Sequence, residues 1–316
     1  VRKGLRDSFP LQLYHKAKRF FWDPQAIDLS QDLTTYQNLS EAQREAALHL
    51  ASLFVAGEEA VTLDLLPLIQ VIAQEGRLEE EMYLTTFLLD EAKHVEFFSR
   101  LIGEVVGGDS QLDRFHGANY RKIFYEELPK AMNRLREDPS PEAQAEAAVT
   151  YNMIVEGVLA ETGYYAYQRS AQILAHKGHA VPGILEGIRY VQRDESRHIA
   201  YGLYLLSRLM SEHPGLWEVV ERRMNYLRPY AVGVVQDIFK AYPQGFPLEL
   251  EVGEFVQYAM SQFQKRYRRL EQARHQSLEE IEQVALEAAE LVVDYFTQGV
   301  VRQAVNSVAL DAELLR

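Results

Sequence analysis

Two short segments of the sequence share the same pattern of ionisable residues, Asp-Glu-x-basic-His. They are Asp90–His94 and Asp194–His198. On an α-helix, residues three apart lie on one face, so the glutamate and the histidine of each segment can bind one ion together. A carboxylate with an imidazole suits iron, manganese or zinc. The repeat therefore predicts two metal-binding half-sites. The residues concerned are Glu91, His94, Glu195 and His198.

Two further glutamates precede these pairs, each in an apolar stretch of an earlier helix. Glu58 lies in segment 57–60 and Glu156 in segment 154–157. A carboxylate in such a stretch is costly unless its charge is paired or coordinated. The chain thus twice places a helix with Glu before a helix with Glu-x-x-His. This arrangement is typical of di-iron and di-manganese carboxylate bundles of the ferritin-like fold. A solvated charged face is the alternative interpretation.

The elements that must position these residues are predicted to be long helices. Ser40 with Gln43 matches a capping box at the start of the first, and Gly107 ends the second. Strand patterns and hairpin turns are nearly absent. The predicted helices cover about 40–76, 77–106, 111–136 with a kink at Pro129, 142–175 and 183–212, with two or three more after Leu216. We therefore expect an all-α fold, a ferritin-like four-helix bundle core with additional helices, in a single domain over 1–316.

Composition narrows the class of protein. The 316 residues are 47% hydrophobic, and 33 Lys and Arg against 46 Asp and Glu give a formal charge of −13. Such an acidic surface disfavours nucleic acid as a partner. The absence of cysteine excludes disulfides and thiolate metal sites, so any metal must bind carboxylates and imidazoles. No run of about 18 apolar residues predicts a membrane span, and segment 1–10 does not resemble a signal peptide. We expect a cytoplasmic protein.

The aspartates that open the two motifs allow two interpretations. A metal-bound imidazole usually donates its second N–H to a carboxylate, and in a pseudo-symmetric bundle Asp194 can orient His94 while Asp90 orients His198. The alternative is that both aspartates form salt bridges with nearby Lys or Arg.

Beyond these patterns, the sequence resembles the ribonucleotide-reductase small-subunit-like ligand-binding oxidases of the ferritin-like superfamily. The resemblance is densest in segments 57–64, 90–94, 151–157 and 194–202. It implies a dinuclear manganese and iron cofactor, with di-iron as the alternative, and activation by dioxygen. It also implies a bound long-chain fatty acid or similar hydrophobic ligand, and an ether cross-link from a tyrosine oxygen to the β-carbon of a valine. The matching residues here are Tyr151 and Val61, and Tyr164 matches another tyrosine near the site.

The spacing of the residues supports the cross-linking pair only in part. Val61 follows Glu58 by three residues, hence lies on the same face, and its β-carbon carries a tertiary C–H bond. Tyr151 precedes Glu156 by five residues, which is not a same-face spacing on a regular α-helix. Ordinary core packing is the alternative for both side chains.

A ligand pocket has modest support in the helix that carries Glu156. Gly157, Ala160 and Gly163 remove side-chain volume there, and glycine within a helix costs stability. Either a cavity or close contact between helices explains these small residues.

Three functions compete on this basis. The favoured one is a dioxygen-activating di-metal oxidase acting on a hydrophobic molecule. The others are a radical-generating small subunit of ribonucleotide reductase and a metal-storage or structural bundle. Phe98 stands four residues after His94, where many reductases have a radical-storing tyrosine, and Glu58 stands where many have Asp. Segment 311–316 also lacks an aromatic docking tail. These departures disfavour a reductase subunit. Related reductases pair through helices, so we expect a homodimer.

Overall fold

The computed structural model describes residues 4–108, 111–276 and 280. Helices account for the regular structure of these ranges and no strand occurs among them, so the all-α prediction is confirmed. The α-helices are α1 (Phe9–Arg19), α2 (Ser30–Asn38), α3 (Glu41–Asp64), α4 (Leu66–Gln74), α5 (Leu78–Arg100), α6 (Ala118–Arg121), α7 (Leu128–Arg134), α8 (Pro141–Ala148), α9 (Glu161–His176), α10 (Pro182–Glu212), α11 (Leu216–Lys240) and α12 (Val252–Ala273).

The helix ends follow local chemistry where the sequence marks them. Ser40 and Gln43 form the predicted capping box at the start of α3. The predicted first helix was too long, because α3 ends at Asp64 and α4 begins at Leu66. Pro67 explains the break, since proline lacks the N–H that would continue the helix and is favoured in a first turn.

Three segments adopt π-helical geometry, in which each N–H bonds to the carbonyl five residues earlier. One, Leu101–Val106, extends α5 to Gly107, whose φ of 91° is the left-handed conformation that ends the helix. A second, Lys122–Glu127, joins α6 to α7, so these segments form one continuous helical rod with Pro129 in the first turn of α7. The third, Val149–Ala160, joins α8 to α9 and forms the middle of the predicted fourth helix.

Four long rods carry the six predicted metal-binding residues. They are α3, α5, α10 and a rod formed by α8, the Val149–Ala160 segment and α9. Helix α5 packs against α3 and α10, and α10 packs against the third rod. Helices α11 and α12 pack on each other and on the Val149–Ala160 segment. The sequence did not predict α1 and α2, which pack beside α5 and α10. Asp32 of α2 accepts hydrogen bonds from the backbone N–H groups of Gly183 (3.0 Å) and Ile184 (2.9 Å) at the start of α10.

Among the helices in the described ranges, none has both the length and the apolarity that crossing a bilayer requires. Segment 311–316, in which the sequence shows no docking tail, lies outside the described residues, as do residues 1–3.

Candidate metal centre

Four rods bring the six predicted metal-binding residues together. Helix α3 contributes Glu58, and the Val149–Ala160 segment contributes Glu156. Helices α5 and α10 each contribute a glutamate and a histidine. All six side chains are buried. Their ligand atoms form two groups, each within a span of 4.8 Å, which are Glu58, Glu91, His94 and Glu195, and Glu91, Glu156, Glu195 and His198. Two glutamates therefore belong to both groups, as expected of carboxylates that bridge two ions.

The separations within the first group fit ligands around one cation better than direct hydrogen bonds. His94 Nδ1 lies 3.5 Å from Glu58 Oε2, 3.4 Å from Glu91 Oε2 and 3.5 Å from Glu195 Oε1. Hydrogen bonds between charged N–H groups and carboxylates are shorter, about 2.7–2.9 Å. Two ligands at about 2.1 Å from one ion lie roughly 3.0–3.4 Å apart at angles between right and tetrahedral.

The second group has the same dimensions around His198. Its Nδ1 lies 3.5 Å from Glu91 Oε1, 3.4 Å from Glu156 Oε1 and 3.5 Å from Glu195 Oε2. Several of these buried atoms have no hydrogen-bond partner in the described structure, namely Glu91 Oε2, His94 Nδ1, Glu156 Oε1, Glu195 Oε2 and His198 Nδ1. Buried polar atoms are normally satisfied, and these orphaned ones converge. The residues present thus fit a pair of metal ions.

The electrostatics of the centre also favour cations. Burial raises the pKa of Glu58 to about 8. Burial likewise raises the pKa of Glu156 well above its usual value, and neighbouring Glu195 adds to this. Burial opposes ionisation of Glu195 as well, but the two imidazoles, His198 foremost, lower its pKa to about 2. Carboxylates this close cannot all ionise unless positive charge lies among them.

The motif aspartates contact the histidines crosswise, as the first interpretation predicts. Asp194 Oδ2 lies 3.4 Å from His94 Nε2, and Asp90 Oδ2 lies 3.5 Å from His198 Nε2. Each histidine thus presents Nδ1 to the centre and Nε2 to an aspartate from the opposite helix. Such contacts fix the ring orientation of a metal ligand.

The same aspartates also form the salt bridges of the alternative interpretation. Lys93 Nζ lies 2.8 Å from Asp90 and 2.9 Å from Asp194. The Arg197 guanidinium lies 2.9 Å from Asp90 and 2.7 Å from Asp194. Both interpretations are therefore correct, because each aspartate contacts a histidine and also forms salt bridges. The basic residue of each motif balances the aspartate charges and is therefore not paired with the four glutamates of the centre.

Trp22 is a neighbour of the centre that sequence reasoning missed. It lies between α1 and α2, and its indole N–H donates a 2.7 Å hydrogen bond to Asp194 Oδ2. Its ring stacks over the His94 imidazole at 6.4 Å between centroids. No local pattern marks the contact, because the two partners are 172 residues apart in sequence.

The π-helical segment explains why Tyr151 reaches the centre. A π-helical turn is wider than an α-helical one, so residues five apart lie nearer to one face than they would on an α-helix, and Tyr151 and Glu156 both reach the centre. The Tyr151 hydroxyl lies 2.9 Å from Glu91 Oε1 and 3.3 Å from the backbone carbonyl of Val61. Val61 is itself buried. The structure thus places Tyr151 beside Val61, the two residues predicted to form the cross-link.

Tyr164 is placed differently. It is fully buried, and its hydroxyl has no hydrogen-bond partner in the described part of the chain. Its ring packs on Phe54 at 5.3 Å. Phe98, the residue four after His94, also stacks on Phe54, with 4.8 Å between ring centroids.

A mainly apolar cavity of about 190 Å³ adjoins the centre. Glu58, Glu156 and Glu195 contribute to its wall together with apolar residues of several helices. Of the small residues in question, Ala160 and Gly163 line the cavity. Gly157 does not, and a β-carbon there would lie 2.9 Å from the Asn152 carbonyl oxygen and 3.1 Å from Arg266 Nε. Close packing therefore explains Gly157. Ala160 and Gly163 border the cavity, and Gly163 is also closely packed, since a β-carbon there would lie 2.4 Å from the Phe54 ring.

Comparison with known proteins agrees with this geometry. Residues 4–273 match the family described as ribonucleotide reductase, small chain. A solved R2-like ligand-binding oxidase with an aerobically reconstituted Mn/Fe cofactor is 40% identical, with a TM-score of 0.79 and an alignment over 85% of this chain and 98% of the other. A glycine-to-leucine variant with an Fe/Fe cofactor gives the same values. An alanine-to-phenylalanine variant with an anaerobically reconstituted Mn/Fe cofactor is 40% identical over the same shares, with a TM-score of 0.80.

Proposed function

Since the chain belongs to the ribonucleotide reductase small-chain family and, within it, to the R2-like ligand-binding oxidases, we propose that it is a dioxygen-dependent oxidoreductase with a manganese and an iron ion. A di-iron form is the alternative, because similar proteins have been obtained with Fe/Fe cofactors. The observation that carries the proposal is the pair of buried ligand groups sharing Glu91 and Glu195.

The ligands we assign are Glu58, Glu91, His94, Glu156, Glu195 and His198. When bound, the metal pair supplies redox equivalents and open positions for dioxygen. The protein sets the coordination, because Asp90 and Asp194 hold the two imidazoles with Nδ1 towards the centre. Burial of all six ligands excludes water and strengthens every charge interaction within the site.

We assign the internal cross-link to Tyr151 and Val61. Forming it joins the phenolic oxygen to the valine β-carbon and removes the O–H and C–H hydrogens as two protons and two electrons, for which dioxygen is the oxidant. The hydrogen bond from the Tyr151 hydroxyl to Glu91 Oε1 orients the oxygen and provides an acceptor for its proton. The contact of 3.3 Å with the Val61 carbonyl holds the phenol beside the valine. Tyr164 is a weaker candidate for a part in this reaction, because its buried hydroxyl has no hydrogen-bond partner in the described part of the chain.

The cavity supports a long-chain fatty acid or a similar hydrophobic molecule as the ligand. Its wall is mostly apolar, and the metal-binding glutamates open onto it. An acyl chain would bury apolar area there, while a head group with acceptor oxygens would face the cations. We expect the protein to be a homodimer, as related reductases are, which analytical ultracentrifugation tests.

Peptide mass mapping after anaerobic loading with Mn(II) and Fe(II) and exposure to air tests the proposal. We expect two metals per chain, dioxygen uptake, and a linked pair of peptides containing Val61 and Tyr151 that is lighter by two hydrogens than their sum. Tyr151→Phe is the matched control, because it keeps the ring and loses the linked pair. Separate peptides with two metals bound would reject the cross-link and leave the di-metal centre.

The two competing functions predict different observations. Storage predicts many irons per chain rather than two. A reductase subunit predicts complex formation with a large catalytic subunit. Phe98 disfavours it, because phenylalanine cannot store a phenoxyl radical at that position.

A further inference from the structure

A line of aromatic rings leads away from the metal centre on the side of His198. The Phe87 ring stacks on the His198 imidazole with 3.5 Å between centroids and 7° between planes. Tyr83 follows at 6.0 Å from Phe87, and Tyr201 at 5.2 Å from Tyr83. The line continues to Tyr204, 6.4 Å from Tyr201 and 5% exposed. Electron tunnelling weakens steeply with distance, so closely packed rings are the favoured path through a protein interior.

The two inner tyrosines differ in their hydrogen bonding. Both are fully buried. The Tyr83 hydroxyl has no partner in the described structure, whereas the Tyr201 hydroxyl donates a 3.1 Å hydrogen bond to Glu80 Oε2. Oxidation of a phenol makes it a strong acid that must lose its proton. Of the two, only Tyr201 therefore has a positioned acceptor for that proton.

Glu80 is suited to receive it. Its carboxylate is buried and lies 3.5 Å from Arg208 and 3.8 Å from Arg77, whose charges favour the ionised form. Burial raises the pKa of Glu80 above its ordinary value, which makes the carboxylate a better base than an exposed one. Neither Glu80 nor Tyr201 belongs to the two ligand groups.

We propose that Tyr201 is a redox-active tyrosine that donates an electron to the metal centre through Tyr83 and Phe87, while its proton passes to Glu80. The inference rests on the proposed function, since dioxygen at the loaded centre is the oxidant. One electron leaves Tyr201 and fills a one-electron vacancy at the centre. The phenolic proton moves to the Glu80 carboxylate, leaving a neutral tyrosyl radical. A one-electron reductant such as ascorbate then restores the phenol, with the proton returning from Glu80.

Such a relay would serve turnovers in which no ligand C–H or O–H is available. An oxidising equivalent left at the centre would attack the metal-binding side chains. Oxidation of Tyr201 removes it from the centre, and the tyrosyl radical can then be reduced. Tyr204 is the least buried ring of the line, at 5% exposure, and is the ring on which a soluble reductant would act.

Rapid-freeze EPR of the Mn/Fe-loaded Tyr151→Phe protein, in which the cross-link cannot form, after mixing with dioxygen without reductant, tests the relay; the variants below are made in this background. We expect a tyrosyl radical signal that narrows when the protein is made with ring-deuterated tyrosine and disappears in Tyr201→Phe. Tyr165→Phe is the matched control, since Tyr165 also hydrogen-bonds a glutamate, Glu254, but its ring contacts do not lead to the centre. It should keep the signal. Dioxygen uptake should be unchanged in both variants.

A second variant addresses the proton. Glu80→Gln keeps a hydrogen-bond acceptor near Tyr201 but removes the base, so radical formation should slow by roughly 10²-fold, as when a positioned general base is lost. Thermal unfolding of each metal-free variant shows that it has folded. A signal that persists in Tyr201→Phe, or no tyrosyl signal while dioxygen uptake is normal, overturns the relay alone. Absence of dioxygen uptake from the loaded wild type overturns the proposed function and the relay together.

Discussion

Replacing Asn152 with alanine should weaken one half of the metal centre and spare the other. The Asn152 amide donates a 2.9 Å hydrogen bond to Glu156 Oε2, and Glu156 belongs only to the ligand group around His198. Asn152 is buried and held against Gly202, where a β-carbon would lie 2.3 Å from its own. No hydrogen bond from a side-chain amide supports Glu58 among the described contacts. The two halves thus differ in how firmly their outer glutamates are held.

The size of the effect follows from the lost hydrogen bond. Hydrogen bonds to charged groups contribute about 1.5–3 kcal/mol. Since each 1.4 kcal/mol is about a tenfold change in affinity, Asn152→Ala should lower the affinity of the His198 half-site by about 10–150-fold. Water entering the space left by the amide would bring the value towards the lower limit.

Anaerobic equilibrium dialysis against increasing free Mn(II), with bound metal counted by mass spectrometry, measures this. One metal is used so that both half-sites fill with the same ion. In Asn152→Ala we expect one equivalent per chain to bind as in the wild type and the second to require higher Mn(II). Gln144→Ala is the control, because Gln144 is an equally buried amide that bonds Glu75 and the Pro139 carbonyl, away from the centre. Equal weakening of both equivalents, or none, would refute the reasoning.

Two further perturbations test other parts of the structure. Burial lowers the pKa of His49 from 6.5 to about 4. The unfolded chain therefore binds a proton at this histidine at a higher pH than the folded protein does. The contribution of neutral His49 to stability is complete above pH 6.5 and is lost as the pH falls towards 4. Urea unfolding should show the free-energy difference between wild type and His49→Phe falling by about 2 kcal/mol between pH 7.5 and 5, and a constant difference would contradict this. Gly163→Leu should abolish co-purification of a hydrophobic ligand, measured by mass spectrometry of a solvent extract, and destabilise the protein by about 1–3 kcal/mol, because a β-carbon there would lie 2.4 Å from the Phe54 ring. Retention of the ligand at wild-type stoichiometry would count against the cavity as its site.

Much of the arrangement was predictable because it depends on short-range rules. A capping box marks the start of α3, and a glycine able to adopt positive φ marks the end of the rod begun by α5. Glu58 and Glu156 stood out because a carboxylate within an apolar helical stretch requires a partner. The crosswise contacts of Asp90 and Asp194 followed from the repeat of one motif on two helices that face each other.

The missed features depend on distant partners or on backbone geometry. Trp22 meets Asp194 only because α1 and α2 pack beside α5 and α10, and no local pattern predicts that packing. Lys93 and Arg197 were recognised as part of a motif, but their shared task of balancing two aspartates appears only when the helices are assembled. The position of Tyr151 could not be predicted from α-helical periodicity, because it lies in a π-helical segment and no residue type marks such a segment in the sequence.

The Val149–Ala160 segment has a consequence for how such a site can change over evolutionary time. A π-helical turn is an α-helical turn with a residue to spare, so deletion of one codon between Tyr151 and Glu156 would let the backbone return to α-helical register. The deletion would place the two residues four apart, still on one face, and the helices on either side would keep their relative positions because the spare residue is lost locally. The hydroxyl now beside Glu91 and Val61 would then be attached to an α-helical turn instead of the wider one. A one-codon change can therefore remodel the backbone beside the centre while the helices that carry its other residues stay in place.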